Sequence, residues 1–152
     1  MTLKSLKPNI NTLYYLAAFA LPFLILFFVL LSEDISFNSD TTILASDGFH
    51  QYVIFAENLR NILHGSDSIF YTFTSGLGLN FYALISYYLG SFFSPFVYFF
   101  SLKSMPDAIY IFTLLKVACM GVSCFYSLRQ LYPKVLKTFQ HHLIDFLCID
   151  EF

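Results

Sequence analysis

A short polar stretch after the first apolar segment holds the first candidate for chemistry. Residues 46–52 read SDGFHQY, with Asp47 near the start. A well-positioned carboxylate can act as a general base toward an incoming hydroxyl group. Asp is also a preferred N-cap, because its oxygens accept backbone N–H bonds and the helix dipole favours its charge. The residues alone leave both roles open for Asp47, and one carboxylate can fill both.

The histidines and cysteines predict no metal site. Asp47 and His50 are three residues apart, but two ligands are too few for a zinc site. Neither Cys119 nor Cys124 belongs to a CxxC pair, nor does Cys148, and the first two lie in an apolar run where thiols serve as small packing residues. We therefore predict no cofactor and no disulfide scaffold, while the need for a divalent metal stays open.

Lys116 is the second candidate, because it lies inside the apolar segment 108–128, AIYIFTLLKVACMGVSCFYSL. A lysine within a membrane span costs about 2.5–3.5 kcal/mol on insertion scales, so its ammonium must reach the interface or a partner. If residues 81–100 stay outside the membrane, Lys116 lies roughly 12 Å below the outer face at helical rise, within reach of a lipid phosphate or of Asp47. The alternative is a packed lysine, paired with an acid or a carbonyl of another membrane segment.

The elements that would position these residues are membrane helices. The chain has 152 residues, of which 57% are hydrophobic and 12% charged, about half the charged fraction of soluble domains. Residues 13–31 are uncharged and long enough to cross a hydrocarbon core of about 30 Å, and residues 108–128 form a second such segment. The partner is therefore a lipid bilayer, and a net charge of -2 gives no reason to propose nucleic acid.

The flanking charges orient the first helix. Lys4 and Lys7 precede it, and Glu33 and Asp34 follow it. Because basic flanks stay in the cytoplasm, we predict a cytoplasmic segment 1–12 and an external loop over 32–80. A cleaved signal peptide is the alternative. The run is long for one and lacks a small-x-small site, which favours an uncleaved anchor.

An amphipathic helix is predicted over residues 49–63 of the external loop, fit to lie on the membrane surface or against other external segments. Its apolar positions recur every three or four residues, and Glu57 and Arg60 have the spacing of a surface ion pair. The predicted polar face consists of His50, Gln51, Glu57, Asn58, Arg60 and Asn61.

Residues 81–100, FYALISYYLGSFFSPFVYFF, either cross the membrane or stay outside as a juxtamembrane or re-entrant segment. If they cross, Arg129, Lys134 and Lys137 lie outside; if they do not, these residues join Lys4 and Lys7 inside. The positive-inside rule favours the second arrangement, with the tail 129–152 in the cytoplasm. The aromatic side chains of 81–100 either line a groove for an isoprenoid chain or simply contact lipid.

The order of these motifs resembles the N-terminal part of the bacterial YfhO-like membrane proteins. One span is followed by SDGFHQY, LRNILHG, FYTFTSGLGLNFYALISYYLGSFFSP and LLKVACMGVSCFYSLRQLY, over about residues 10–135. These proteins are related to lipid-linked-sugar glycosyltransferases of the GT-C fold. The resemblance implies an all-α, multi-pass protein of the bacterial plasma membrane.

The resemblance also implies an activity. An acid in the first external loop, here Asp47, would help an acceptor hydroxyl attack the anomeric carbon of a sugar carried on polyprenyl phosphate. The acceptor would be a cell-envelope polymer such as lipoteichoic acid, and Gln51, Tyr52 and Lys116 would bind substrate. Family members are several times longer, so we expect this chain to be a truncated copy that is inactive alone. The alternative function is a small non-enzymatic membrane subunit or scaffold.

Overall fold

The computed structural model describes residues 10–134 and Thr138, and the regular elements in this part of the chain are helical. A single antiparallel bridge joins Thr72 to Leu79. The all-α prediction is confirmed for the described residues, whereas most of the predicted tail 129–152 lies outside them. The elements are α1 (Ile10–Ser32), a π-helix (Gly48–Val53), α2 (Ile54–Leu63), α3 (Phe81–Tyr88), 3₁₀ helices at Ser94–Phe99 and Leu102–Ser104, and α4 (Met105–Leu131).

Two of the described helices are long and apolar enough to cross a membrane. They contain the two apolar segments predicted from the sequence. The apolar window of α1 is only 6% buried, and that of α4 28%. Large side chains on α1 are accordingly exposed, for example Ile25 at 61% and Phe28 at 60%. A core helix of a soluble domain would be mostly buried, so this surface is suited to contact with lipid.

The described residues divide into two compact units, one formed by residues 27–115 and the other by parts of 1–26 and 116–152. The first unit has a continuous apolar core. Phe81, Met105 and Ala108 are completely buried there, and the inner face of α2 contributes Phe55, Ala56 and Leu59. Helix α2 packs mainly on the 3₁₀ helix Ser94–Phe99. The amphipathic helix therefore buries its apolar face against another segment of the chain.

Residues 81–100 do not form one helix. The side chain of Asn80 caps α3 by accepting a bond from Tyr82 N at 3.0 Å, and α3 ends at Tyr88. Eight residues of α-helix extend about 12 Å, well short of a hydrocarbon core of about 30 Å. A separate 3₁₀ helix, Ser94–Phe99, follows and has Pro95 in its first turn. Residues 81–100 therefore contain no single helix long enough to cross a membrane.

The second unit pairs the first part of α1 with the second part of α4. The rings of Tyr15 and Phe125 meet edge to face at 5.1 Å. Arg129 donates from Nη2 to Asn11 Oδ1 at 2.9 Å, and its guanidinium lies 5.8 Å from the ring centre of Tyr15. Arg129, whose charge was used above to predict the topology, thus also connects α4 to α1.

Candidate functional site

Asp47 lies where the loop after α1 becomes helical, and its carboxylate is exposed. It occupies the N-cap position of the π-helix but makes no side-chain capping bond. The capping role considered for Asp47 is therefore wrong for this structure. Instead, Oδ1 accepts a bond from Gln51 Nε2 at 3.4 Å. The carboxylate is held by a side chain and remains open to a ligand.

The backbone around Asp47 is unusual at two successive places. Ser46 has φ +49°, a conformation that non-glycine residues rarely adopt. The following six residues, Gly48–Val53, form a π-helix, a rare element that is frequently found at functional sites. Strained backbone that persists in a fold supports a hypothesis of function at that point. Asp47 and Gln51 are four residues apart, a spacing that puts two side chains on the same side of a helix.

The π-helix presents its two sides to different surroundings. Val53 is buried in the core, whereas His50 and Tyr52 are exposed. The Tyr52 ring packs edge to face on Tyr88 of α3, with 5.3 Å between ring centres. Gln51 thus lies beside Asp47, and Tyr52 is the next residue of the same π-helix. Within residues 10–134 and Thr138, no three His, Cys, Asp or Glu side chains form a group that could hold a metal ion.

A buried polar network fixes α2, the helix that continues from the π-helix. Asn58 is only 5% exposed, so its placement on the polar face was wrong. Its Nδ2 donates to Thr72 Oγ1 at 2.6 Å, and Thr72 and Thr74 share a bond of 2.8 Å. Because buried polar groups must be paired, these contacts bind α2 to the segment around Thr72.

Arg60 and Glu57 are not the surface pair that their spacing predicted. Arg60 Nε donates to the carbonyl oxygen of Phe100, at the end of the 3₁₀ helix that packs on α2. His64 stacks on Tyr98 of the same 3₁₀ helix at 4.3 Å. Partial burial raises the pKa of the Glu57 carboxyl above its ordinary value. Arg60 of α2 thus connects this helix to the 3₁₀ helix Ser94–Phe99 and does not pair with Glu57.

Lys116 is exposed on α4 and belongs to the compact unit of residues 1–26 and 116–152, whereas Asp47 belongs to the unit of residues 27–115. The structure assigns no hydrogen bond to the Lys116 ammonium among the described residues. Among the predicted site residues the structure joins Gln51 to Asp47 by a hydrogen bond, and it describes Lys116 within the other unit.

A polar cavity of about 180 Å³ was missed by the sequence analysis. It lies within the unit of residues 27–115, between the loop after α1 and the first turns of α4. Its charged lining residues are Asp40, Lys103 and Asp107. The only signal in the sequence was a run of Asn, Ser, Asp and Thr over residues 38–42, which is typical of any loop.

Comparison with known proteins identifies a family. No curated protein matches the chain, and no solved structure does. A family described as bacterial membrane protein YfhO matches residues 17–142. That range contains α2, α3, α4, the π-helix and most of α1. Because the match covers most of the chain, this protein belongs to the YfhO family of bacterial membrane proteins.

Proposed function

We propose that this chain supplies the first external loop of an integral membrane glycosyltransferase, with Asp47 as the general base. The donor is a sugar linked to polyprenyl phosphate, and the acceptor is a hydroxyl group of a cell-envelope polymer such as lipoteichoic acid. The acceptor oxygen bonds to the anomeric carbon while its proton passes to Asp47. The bond between that carbon and the phosphate oxygen breaks, and polyprenyl phosphate leaves.

The observation that carries this proposal is the state of the Asp47 carboxylate. It is exposed, makes no capping bond, and accepts a single long bond from Gln51. A base must be able to approach the proton that it removes. A carboxylate satisfied by backbone N–H groups would be a poorer base, because such bonds favour its ionised form. The π-helix that follows holds the carboxylate in place.

The neighbouring side chains have supporting roles in this proposal. Gln51 orients the Asp47 carboxylate and offers an amide to a sugar hydroxyl. Tyr52 presents an exposed aromatic ring, held by Tyr88, beside which a sugar or a lipid chain can pack. Lys116 binds the phosphate of the donor, because an ammonium on an apolar helix requires an anionic or polar partner.

The segment after the π-helix is suited to contact with the lipid carrier. Residues 68–102 contain no Asp, Glu, Lys, Arg or His. Aromatic residues of this segment are strongly exposed, among them Tyr87 at 81%, Phe92 at 80% and Phe99 at 77%. Exposed aromatic rings without charges favour the membrane interface, where an isoprenoid carrier also lies.

The test is sugar transfer in bacterial membranes that contain the protein in its native genomic context, with labelled polyprenyl-phosphate hexose as donor. We expect Asp47→Asn to lower transfer by about 100-fold or more, since a general base contributes about 10²–10⁴. Asp67→Asn is the matched control, because Asp67 is another exposed carboxylate of the same external loop. Full transfer by the Asp47→Asn variant would refute the catalytic role.

A non-enzymatic subunit is the second candidate, and Lys116 is the observation that favours it. An exposed lysine on an apolar helix can pair with an acid of a partner membrane protein as well as with a phosphate. In that case Lys116→Gln would release a protein partner during purification in mild detergent, while Asp47→Asn would have no effect on any cell-envelope sugar.

A further inference from the structure

We propose that the cavity between the loop after α1 and the start of α4 binds a neutral polyhydroxylated ligand, a single sugar unit either free or as the head group of a glycolipid. The cavity lies within the unit of residues 27–115, and Asp47 is not among its lining residues. The inference therefore does not depend on Asp47 or on the transfer reaction.

The cavity is built from polar groups on a rigid frame. Asn38 N donates to Asp107 Oδ1 at 2.8 Å, which joins the loop to the first turn of α4. Ser39 Oγ donates to the carbonyl oxygen of Thr41 at 2.6 Å, which fixes the loop internally. These bonds hold the cavity open without using the side chains of Asp40, Thr41 or Lys103, for which the structure gives no hydrogen bond.

Tyr110 provides an independent sign of a ligand. It lines the cavity, it is 95% buried, and its hydroxyl is the buried side-chain polar atom without a partner among the described residues. Leaving a buried hydroxyl unpaired destabilises a fold by about 1–3 kcal/mol. A ligand that bonds to this oxygen would remove that penalty, which explains how such a group can persist.

The mixture of charges selects the class of ligand. Asp40 and Asp107 would repel a phosphate, and two carboxylates beside Lys103 are fewer than the ligands that a metal ion requires. An apolar ligand would leave the carboxylates and the hydroxyls unpaired. A polyol carries donors and acceptors on neighbouring atoms, so it can donate to a carboxylate and accept from Lys103 and the hydroxyls at once.

Size and position narrow the choice further. About 180 Å³ is below the roughly 300–1,000 Å³ of pockets for drug-sized ligands, so the cavity admits one sugar unit rather than an oligosaccharide. The cavity lies beside the C-terminal end of α1 and the N-terminal end of α4, the two helices apolar enough to cross a membrane. A site beside the ends of two such helices lies near the membrane surface, where it is accessible both to a soluble sugar and to a lipid head group.

The experiment uses the full chain in phosphatidylcholine nanodiscs. Soluble probes are the methyl glycosides of glucose, galactose and N-acetylglucosamine, detected by saturation-transfer NMR. Lipid probes are monoglucosyl and monogalactosyl diacylglycerol, with diacylglycerol as the sugar-free control and inorganic phosphate as the anion control. The thermal unfolding midpoint is measured for every probe.

We expect at least one sugar probe to raise the midpoint, and Tyr110→Phe and Asp40→Asn each to weaken its binding by about 3–10-fold. Tyr126→Phe, an exposed tyrosine of the same helix, and Asp67→Asn are the matched controls and should bind normally. Without ligand, Tyr110→Phe should unfold at the same or a higher temperature, since it removes an unpaired hydroxyl. A purely structural tyrosine would lower it.

The set of probes that bind distinguishes a glycolipid head group from a free sugar. Binding of the glycolipids alone identifies a lipid head group, and binding of the glycosides as well identifies the sugar unit itself as the ligand. The proposal is overturned if no sugar probe binds, if all variants bind equally, or if phosphate stabilises the protein and the sugars do not.

Discussion

Gly121 of α4 lies directly against the carbonyl oxygen of Ala18 in α1. A Cβ atom added at Gly121 would overlap that oxygen and would lie 2.6 Å from Pro22 Cγ. Small residues permit such close approach between membrane helices, where packing rather than the hydrophobic effect drives association. Gly121 is therefore a point of close approach between α1 and α4 within their compact unit.

Gly121→Leu should force the two helices apart. We expect a loss of about 1–3 kcal/mol of stability, as for overpacked cores, measured by thermal unfolding in mild detergent. Ser123→Leu is the control, because Ser123 is exposed on the same helix. Equal unfolding midpoints for the two variants would show that the close approach does not matter for stability.

Asn58→Ala should destabilise the external segments. The substitution leaves the buried Thr72 hydroxyl without the donor that now lies 2.6 Å away, and we expect a loss of about 1–3 kcal/mol. Hydrogen exchange around Thr72 should rise at the same time. Asn61→Ala, on the less buried side of α2, should change stability by about 0.5 kcal/mol or less. An Asn58→Ala variant with unchanged stability would mean that the hydrogen bonds of Asn58 do not stabilise the fold.

Glu57 should make stability fall as the pH rises. Its pKa is raised in the fold by desolvation, so its contribution is fully present below the unfolded pKa of about 4.5 and is lost as pH rises through the folded value. Glu57→Gln should therefore flatten the decline of the unfolding midpoint from acidic to neutral pH. Glu33→Gln, an exposed acid, is the control. An unchanged pH profile in Glu57→Gln would contradict the assignment.

The loop closed by the bridge between Thr72 and Leu79 should enter the membrane interface. Phe73 is 82% exposed and Leu77 completely exposed, and the loop carries no charge. Because the chain contains no tryptophan, Leu77→Trp gives a single reporter. Brominated lipids should quench its fluorescence strongly, and a Trp placed at exposed Ser66 should be quenched weakly. Equal quenching by aqueous iodide at both positions would count against insertion.

Cysteine labelling from outside intact cells tests the predicted topology. Single cysteines replace Ser46, Lys103 or Lys134 in a chain that lacks Cys119, Cys124 and Cys148. If two helices cross and residues 81–100 remain outside, the first two positions react with an impermeant maleimide and Lys134 does not. Labelling at Lys134 but not at Lys103 would require a third crossing, despite the broken backbone of residues 81–100.

Long-range contacts account for most of what sequence reasoning could not predict. Asn58 was placed on the polar face of a helix, because periodicity describes an average face and not a single partner. Its partner Thr72 comes from a separate loop, and Arg60 finds the Phe100 carbonyl forty residues later. Likewise, no feature of the neighbouring sequence indicates that Ser39 and Tyr110 line the same cavity.

The sequence by itself determined the two apolar helices and the amphipathic character of residues 49–63, because composition and periodicity are properties of neighbouring residues. The order of the sequence motifs indicated the family. Only the tertiary structure showed that the Asp47 side chain makes no capping bond and that Asn58 is buried and hydrogen-bonded. Only the tertiary structure showed that residues 81–100 form separate short helices and that a polar cavity lies beside α4. Each of these depends on which distant groups meet, since a buried polar group must find its partner wherever the fold supplies one.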